Sequence, residues 1–480
     1  MSPSDPKIGI SQSHAILIPL PIQGHINPMM QLAWKLVSHG FLITFVNTET
    51  NHQRIIKANK DQSLHDSSDM IRMVSVADGL APDDSHSFVV KFFAEVENAL
   101  GPSVIDKLIR NINEKEGDQK VSCIVADVWT CFGLHTVAKL HHISLAVFNT
   151  SLVSNFAIRY FSPKLVSLGI LPSDGIPKED KTKKYLSSLP PLKSAHLPWL
   201  YGGEDMFRHA IRMVKEINKI EWVIFNTFYE QEPVVLDELS KEMSVFPIGP
   251  LISPDFLDGD RNTERRLVPS LLKPEAECLE WLEKQAEQSV IYVSFGSYAA
   301  LNKLQMEELS VALEATHRPF LWVVRSDTMD SCQSVFSPGF MERIIDRGCI
   351  VSWAPQLRVL SHPAIACFVT HCGWNSVQES ITMGVPMLCW PYFADQFLNS
   401  TYIVDVWKVG LALNANNNGL IEREEFTKAI ERLLVAEEGT AIREEMRKMN
   451  KIARDTVKEG GSSSNNFKLF LNAITKRVNC

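Results

Sequence analysis

Side chains able to bind a phosphorylated ligand recur after three successive apolar stretches between residues 353 and 396. After the second stretch, His371, Asn375 and Ser376 lie at a Gly-containing turn that opens a predicted helix. A helix N-terminus has free N–H groups and a positive dipole end, so imidazole, amide and hydroxyl donors beside it suit a phosphate or diphosphate. Trp353 offers a flat face for a base. The segment therefore predicts a nucleotide site.

Carboxyl and amide groups in the same segment could bind sugar hydroxyls. Glu379 lies one turn beyond Asn375 and could accept from ribose hydroxyls, and Asp395 and Gln396 follow the next predicted strand. Each residue alone has a simpler interpretation as a core aromatic, a satisfied buried histidine or a helix cap. Their recurrence at three successive strand ends favours a shared ligand over packing.

A second constellation lies in the first half of the chain. His25 is expected in the loop Pro19–His25 that follows the first predicted strand, and Asp127 ends the strand Val121–Ala126. An imidazole can take up a proton near neutral pH, and a carboxylate on its other ring nitrogen would orient it. The pair predicts a general base, and the alternative is that both residues cap helices.

The elements that must position these groups alternate between short apolar runs and helical patterns. The predicted strands of the first half are Ala15–Ile18, Phe41–Val46, Met70–Val76, Val121–Ala126 and Leu145–Phe148, with helices after residue 29 and near 88–115 and 129–141. Those of the second half are Val290–Phe295, Phe320–Val324, Cys349–Ser352, Cys367–Thr370 and Pro386–Cys389, with helices near 303–316, 374–383, 395–407 and 422–435 and a last one from Ser462. Such alternation predicts parallel sheets of α/β class.

Two breaks interrupt the alternation. Residues 172–198 form a stretch rich in Pro, Ser and Lys, and residues 251–274 are polar and turn-rich. We predict an N-terminal domain over residues 1–250, a linker over 251–274 and a second domain over 275–459, with a ligand cleft between the two domains.

Composition excludes several classes of protein. The 480-residue chain has 48 basic and 56 acidic side chains, so no net positive field favours nucleic acid or anionic membranes. Nine cysteines without paired spacing do not form a disulfide framework. Since neither a signal peptide nor a membrane-length apolar run is evident, we expect a soluble, cytoplasmic protein.

Several nucleotide and catalytic motifs are also absent. The chain has no G-x-x-x-x-G-K-[ST], G-x-G-x-x-G, H-E-x-x-H, C-x-x-C or G-x-S-x-G pattern. These absences disfavour P-loop enzymes, Rossmann oxidoreductases, metallopeptidases and serine hydrolases, and we expect no metal site.

The 44-residue segment from Trp353 to Gln396 resembles the nucleotide-sugar box of the plant family 1 UDP-glycosyltransferases. The resemblance extends to Pro21–Pro28, Phe246–Leu251 and Ser294–Ser297. It implies the GT-B fold, in which two Rossmann-like domains face each other across a cleft. It also implies that residues 460–480 return to pack on the N-terminal domain.

The resemblance assigns a role to each matching residue. Trp353 and Ala354 would lie at the uracil, with Gln356 beside the base and ribose and Glu379 on the ribose hydroxyls. The residues expected around the diphosphate are Ser297, His371, Gly373, Asn375 and Ser376, and those expected at the transferred sugar are Trp374, Asp395 and Gln396. His25 would be the catalytic base and Asp127 its partner.

The sequence also offers some indications of which sugar donor and which acceptor the protein prefers. Gln396 is similar to family members that prefer UDP-glucose, and no arginine near Trp374 in sequence could pair with a uronic acid. The residues suspected at the acceptor are Trp129, Asn149, Phe156, Phe207 and Phe393. An aromatic pocket would favour a flat lipophilic molecule such as a flavonoid, phenylpropanoid or terpenoid.

The sequence thus predicts an inverting, metal-free O-glycosyltransferase that acts as a monomer, with a nucleotide sugar and a small-molecule acceptor as its partners. One alternative is a nucleotide-sugar-binding protein that has lost catalysis, although His25 and Asp127 are both present. A second alternative is a nucleotide-dependent oxidoreductase, which the missing glycine fingerprint disfavours.

Overall fold

Two parallel sheets, each flanked by helices, make up the protein. The computed structural model describes residues 13–58, 70–77, 89–115, 119–257, 275, 277–297, 301–325 and 336–476. Most of the predicted linker, residues 258–274, lies outside these described residues, as do residues 477–480.

The first half contains nine of the described strands: β1 (His14–Ile18), β2 (Leu42–Thr48), β3 (Ile71–Val76), β4 (Val121–Asp127), β5 (Ser144–Asn149), β6 (Thr182–Lys183), β7 (Leu192–Lys193), β8 (Trp222–Phe225) and β9 (Ser244–Pro247). Seven form one parallel sheet in the order β3-β2-β1-β4-β5-β8-β9, while β6 and β7 form a small antiparallel pair. The order reverses between β1 and β4, and ligands of open α/β sheets bind outside such a switch point.

The second sheet is also parallel. Its strands are β10 (Val290–Ser294), β11 (Phe320–Val323), β12 (Gly348–Val351), β13 (Ile365–Thr370), β14 (Met387–Cys389) and β15 (Gly410–Ala412). They are arranged in the order β12-β11-β10-β13-β14-β15, so the switch point lies between β10 and β13.

Helices connect the strands. Those of the first half are Gln23–Val37, Glu49–Ala58, Val89–Ala99, Pro102–Lys115, Leu134–Leu140, Val153–Tyr160, Ser162–Ser167, Gly203–Ile217, Pro233–Leu239 and Pro254–Leu257, with 3-10 turns at Ser194–His196, Leu200–Gly202 and Tyr229–Gln231. Those of the second half are Glu277–Leu282, Lys303–Ala315, Phe340–Ile344, Gln356–Leu360, Trp374–Met383, Gln396–Thr401, Arg423–Leu434, Glu437–Val457 and Ser462–Lys476, with a π-helical turn at Tyr402–Val406.

Alternating strand residues supply two cores on opposite faces of the first sheet. Ile16 and Ile18 of β1 belong to one cluster, whereas Ala15 and Leu17 belong to the other. This alternation follows from the period of two in a β-strand, and burial of both faces explains the nearly all-apolar strand sequences. The cluster of Ile16 also contains Trp374 from the second half, so this core continues across the domain contact.

The last helix, Ser462–Lys476, packs on the first sheet. Phe467, Phe470 and Ile474 share a buried cluster with residues of β1 and β5. The Ser463 hydroxyl donates to the Gly249 carbonyl oxygen at 2.5 Å. The end of the chain therefore returns to the N-terminal half.

Some elements differ from the sequence prediction. The helical stretch predicted near 88–115 is two helices, because Gly101 interrupts it: a Cβ there would lie 2.4 Å from the Glu97 carbonyl oxygen. The helix predicted over 129–141 begins only at Leu134, after Gly133 in the left-handed region. The 21-residue helix Glu437–Val457 was not predicted, since few of its residues are buried.

Candidate active site

His25 and Asp127 meet at the switch point of the first sheet. The Nδ1 atom of His25 lies 2.6 Å from Oδ2 of Asp127, and the carboxyl group is fully buried. The other oxygen of Asp127 accepts from the backbone N–H of Trp129 at 2.9 Å. The hydroxyl of Thr150 lies 3.0 Å from the same ring nitrogen. With Nδ1 engaged, Nε2 of His25 is the atom available to a substrate.

The local structure around His25 differs from the predicted loop. The helix begins at Gln23, so His25 lies in its first turn, even though Pro28 follows within the same helix. Proline lacks the N–H that would donate to the carbonyl four residues earlier, which is that of Gly24. The side-chain amide of Asn375 from the second half donates to that oxygen instead, at 2.6 Å.

His371 follows β13 in a space made by two glycines. A Cβ on Gly296 would lie 2.7 Å from the imidazole Cε1, and one on Gly373 would lie 2.3 Å from Nε2. Burial lowers the pKa of His371 to about 4, so the ring is neutral at neutral pH. The Ser294 backbone lies close enough to the ring to oppose this lowering of the pKa. A neutral imidazole can donate one N–H to a ligand oxygen at this position.

Gln356 connects two residues of the neighbouring helix Trp374–Met383. Its amide nitrogen donates to the Ser376 hydroxyl at 2.9 Å and to Oε2 of Glu379 at 2.8 Å. Burial raises the pKa of Glu379 to about 7, and the bond from Gln356 opposes that rise. These contacts hold the side chains in place without a ligand, which reduces the ordering cost of binding.

Each of the three residues predicted at the transferred sugar forms its own hydrogen bonds with the protein. Oδ2 of Asp395 accepts from Asn399 at 2.9 Å, and burial raises the pKa of Asp395 above its usual range. Oε1 of Gln396 accepts from two backbone N–H groups, at 2.8 and 3.1 Å. The indole N–H of Trp374 donates to the Asn226 carbonyl oxygen of the first half at 2.8 Å, so this side chain is committed to the domain contact.

A cavity of about 860 Å³ lies between the two sheets and joins these groups. All the residues predicted to hold the nucleotide sugar line it, namely Ser297, Trp353, Ala354, Gln356, His371, Gly373, Trp374, Asn375, Ser376, Glu379, Asp395 and Gln396. His25 lines it from the opposite half, with Asp127 buried behind. The volume lies within the range of small-molecule sites.

The residues suspected at the acceptor divide into two groups. Those that line the cavity are Trp129, Asn149, Phe156 and Phe393. Phe207 does not line it: the ring is buried against Trp199, with a centroid separation of 5.0 Å, and lies over Gly175. Phe207 is therefore a packing residue, because the face of the helix Gly203–Ile217 that carries it is directed towards the segment around Gly175.

Other cavity residues were not predicted. Thr150 belongs to the polar run after β5, a signal that sequence reasoning could have used. Asn155 and Arg159, on the helix Val153–Tyr160, also line the cavity. Arg159 lies close enough to Asp395 to oppose the rise in the pKa of that carboxyl, although no arginine is near Trp374 in sequence. Only the fold shows this proximity.

The described part of the chain contains neither a candidate metal site nor a candidate membrane span. No group of three or more His, Cys, Asp or Glu side chains there is arranged to hold a metal ion. Within the same residues, no helix is both long enough and apolar enough to cross a membrane.

Comparison with known proteins identifies the family. The family model described as UDP-glucoronosyl and UDP-glucosyl transferase matches residues 270–458. UDP-glycosyltransferase 83A1 of Arabidopsis thaliana is 32% identical over 477 residues, which cover 98% of each chain. The 7-deoxyloganetin glucosyltransferase of Gardenia jasminoides is 34% identical over 475 residues, or 94% of this chain and 95% of that relative.

Solved structures show the same architecture. Phytolacca americana UGT2, complexed with UDP-2fluoro-glucose and pterostilbene, superposes with a TM-score of 0.79 at 28% identity and covers 97% of this chain and 99% of its own. Sequence and fold agree over nearly the whole length. The chain therefore belongs to the plant family 1 UDP-glycosyltransferases and is a glycosyltransferase with the GT-B fold.

Proposed function

We propose that this glycosyltransferase transfers glucose from UDP-glucose to a hydroxyl of a small lipophilic plant metabolite and forms a β-glucoside. The flavonoids, phenylpropanoids and terpenoids are the candidate classes of acceptor. The observation that carries the proposal is the 2.6 Å contact between His25 and Asp127 at a cavity lined by the predicted donor residues.

His25 acts as the general base. Its Nε2 atom takes the proton from the acceptor hydroxyl while that oxygen forms a bond to the anomeric carbon of glucose. The bond between that carbon and the phosphate oxygen breaks, and UDP leaves with the electron pair. Asp127 holds the ring through Nδ1 and stabilises the imidazolium. One displacement inverts the anomeric centre, so an α-linked donor gives a β-linked product.

The second half holds the donor. Trp353 stacks on uracil, Glu379 accepts from the ribose hydroxyls, and Asp395 and Gln396 bind the sugar. His371, Ser376 and the first amides of the helix Trp374–Met383 receive the diphosphate and stabilise the leaving UDP. The glucose preference is supported by Gln396 and by the glucosyltransferase name of a relative. The predicted metal independence, monomeric state and cytoplasmic location stay predictions.

Release of UDP tests the proposal. The full chain is incubated with UDP-glucose and a panel of phenolic and terpenoid alcohols, and the anomeric configuration of any product is read by NMR. We expect acceptor-dependent release in the wild type and a loss of kcat of about 10²- to 10⁴-fold in His25→Asn, with UDP binding retained. The control is His142→Asn, since His142 is exposed and has a positive φ that asparagine tolerates.

Other outcomes would contradict the proposal. UDP binding without turnover on any acceptor would favour a protein that has lost catalysis. Reduction of a nicotinamide cofactor would favour an oxidoreductase, and full activity in His25→Asn would place the base elsewhere.

A further inference from the structure

Arg159 is a buried cation in the wall of the cavity. It lies on the helix Val153–Tyr160 and is only 5% exposed. One terminal nitrogen donates to the Asn155 carbonyl oxygen at 3.3 Å and the other to the Pro198 carbonyl oxygen at 3.0 Å. The guanidinium carbon lies 5.3 Å from the ring centre of Trp129, which lines the same cavity.

A purely structural role leaves part of this side chain unexplained. The two hydrogen bonds to carbonyl oxygens and the contact with Trp129 would suit a side chain that only stabilises the segment around Pro198. However, the Nε atom of Arg159 is buried without a hydrogen-bond partner, and Asp395, whose charge acts on the guanidinium, does not form a close ion pair with it. A buried charge is costly when part of its hydrogen-bonding capacity is unused, and arginine cannot shed its proton in a protein.

A second unsatisfied polar atom lies one helical turn earlier. The Oδ1 atom of Asn155 is also buried without a partner, and Asn155 lines the cavity as well. Residues four apart share one face of a helix, so Asn155 and Arg159 point to the same region. Native proteins leave few buried polar atoms unpaired, and two neighbours at one cavity indicate a polar ligand group.

The neighbours of Arg159 place that ligand group on the acceptor side. Trp129 and Phe156 of the first half line the adjoining wall, as does Phe393. Arg159 and His25 both lie close enough to Asp395 to oppose the rise in its pKa, so these three groups share one end of the cavity. An acceptor whose hydroxyl meets His25 can therefore extend towards Arg159.

We propose that Arg159 binds an anion of the acceptor, and that the preferred acceptor is a hydroxylated carboxylic acid of the aromatic or terpenoid class. Its hydroxyl lies at His25 and is glucosylated, while its carboxylate accepts hydrogen bonds from Arg159. This assignment rests on the proposed function, because it places the acceptor in that same site. Asn155 can accept from a further hydroxyl of the same molecule.

The wild-type enzyme allows a test without any variant. The probes are 4-hydroxycinnamic acid and its methyl ester, which share the phenol and differ in charge. We expect kcat/KM and calorimetric affinity in the presence of UDP to favour the acid by about 10- to 100-fold, the range of a charge-assisted hydrogen bond. Arg159→Gln should bring the acid-to-ester ratio close to one, and Arg159→Lys should retain part of the preference.

The outcomes separate this inference from the function on which it rests. Turnover of both probes without preference would overturn the role of Arg159 and leave the glucosyltransferase standing. Absence of turnover with preferential binding of the acid would retain the anion site and refute the function. An alkali-labile glucose ester as product would place the carboxylate at His25 and overturn the inference.

The carboxylate that binds Arg159 could belong to the sugar of the donor instead of the acceptor. A second experiment therefore replaces UDP-glucose with UDP-glucuronic acid. If Arg159→Gln abolishes use of UDP-glucuronic acid and leaves the acid-to-ester ratio intact, the anion belongs to the donor and the inference is wrong. We expect UDP-glucose to be the better donor in the wild type and in both variants.

Discussion

Glu379 is the residue whose environment most directly predicts a pH effect. Burial raises the pKa of its carboxyl group to about 7, and the contact from Gln356 only partly offsets this rise. A carboxylate accepts hydrogen bonds from both ribose hydroxyls, whereas a protonated carboxyl loses acceptor capacity. Donor binding therefore favours the deprotonated form, and affinity should increase as the pH rises through about 7.

Calorimetric titration with UDP-glucose at several pH values between about 6 and 8 checks this prediction. UDP-glucose is the suitable probe because its diphosphate is doubly esterified and keeps its charge over this range. His371 does not interfere, since its pKa of about 4 leaves it neutral throughout. We expect the slope to disappear in Glu379→Gln. A wild-type affinity that falls as the pH rises would mean that the carboxylate repels the donor.

Residue types alone indicated most of this chemistry. The indole of Trp353, the imidazole of His371 and the carboxyl of Glu379 are groups that a nucleotide sugar can use wherever they converge. Arg159 carried no such signal in the sequence, because its significance depends on its place at the cavity and on the unpaired Nε atom. That property exists only once Pro198 and Trp129 surround the side chain.

At the scale of elements, Glu232 holds the helix Val153–Tyr160 that carries Asn155 and Arg159. Its carboxyl oxygens accept from the backbone N–H groups of Val153 and Ser154, each at 2.8 Å. The Ser154 hydroxyl also donates to it at 2.6 Å. The residue before this helix is leucine, which offers no side-chain cap, so Glu232 satisfies the free N–H groups from a distant segment.

Removal of the Glu232 carboxyl group should destabilise the helix Val153–Tyr160, which forms part of the cavity wall. We expect Glu232→Ala to lower the free energy of unfolding by about 1–3 kcal/mol, since buried N–H groups lose their acceptor. Urea unfolding measures the change, and acceptor KM should rise with it. Glu242→Ala is the matched control, because Glu242 is exposed and should change stability by less than about 0.5 kcal/mol. Equal effects in both variants would contradict a capping role.

The bounds of two helices show how well the local sequence pattern predicts where an element begins and ends. The helix Trp374–Met383 has the predicted bounds, since the left-handed Gly384 ends it. The start of the helix Gln23–Val37 was predicted several residues too late, because the apolar residues at helical spacing begin only at Met29. Pro28 within this helix is accommodated by Asn375, a residue of the other half of the chain, and no local pattern contains this contact.

At the scale of the whole molecule, a short set of contacts ties the halves together. The Asn226 carbonyl oxygen accepts from Trp374 at 2.8 Å and from Gln378 at 2.9 Å. The indole of Trp407 donates to the Gln231 carbonyl oxygen at 3.1 Å. These bonds are buried, and they set the distance between the donor side and His25.

The returning C-terminal helix contributes to stability in the same way. Phe470 is fully buried against the first sheet, whereas its neighbour Leu469 is 57% exposed. Phe470→Ala should lower the free energy of unfolding by about 3–5 kcal/mol, and Leu469→Ala by less than about 0.5 kcal/mol. Urea unfolding of the full chain measures both. Similar values for the two variants would mean that the helix is not an integral part of the first domain.

The sequence by itself determined the α/β class and the two alternating halves, and it predicted the groups expected at the nucleotide sugar, because apolar periodicity and residue chemistry are local properties. The domain bounds 1–250, 251–274 and 275–459 stay predictions. Tertiary structure decided which distant residues meet. It placed His25 against Asp127 across 102 positions of sequence, excluded Phe207 from the cavity and buried Arg159 in the cavity wall with an unpaired Nε atom. The physical reason is that the burial of a side chain, its hydrogen-bond partners and the shape of a cavity depend on how all the elements pack together. The spacing of residues in the sequence describes only a single element.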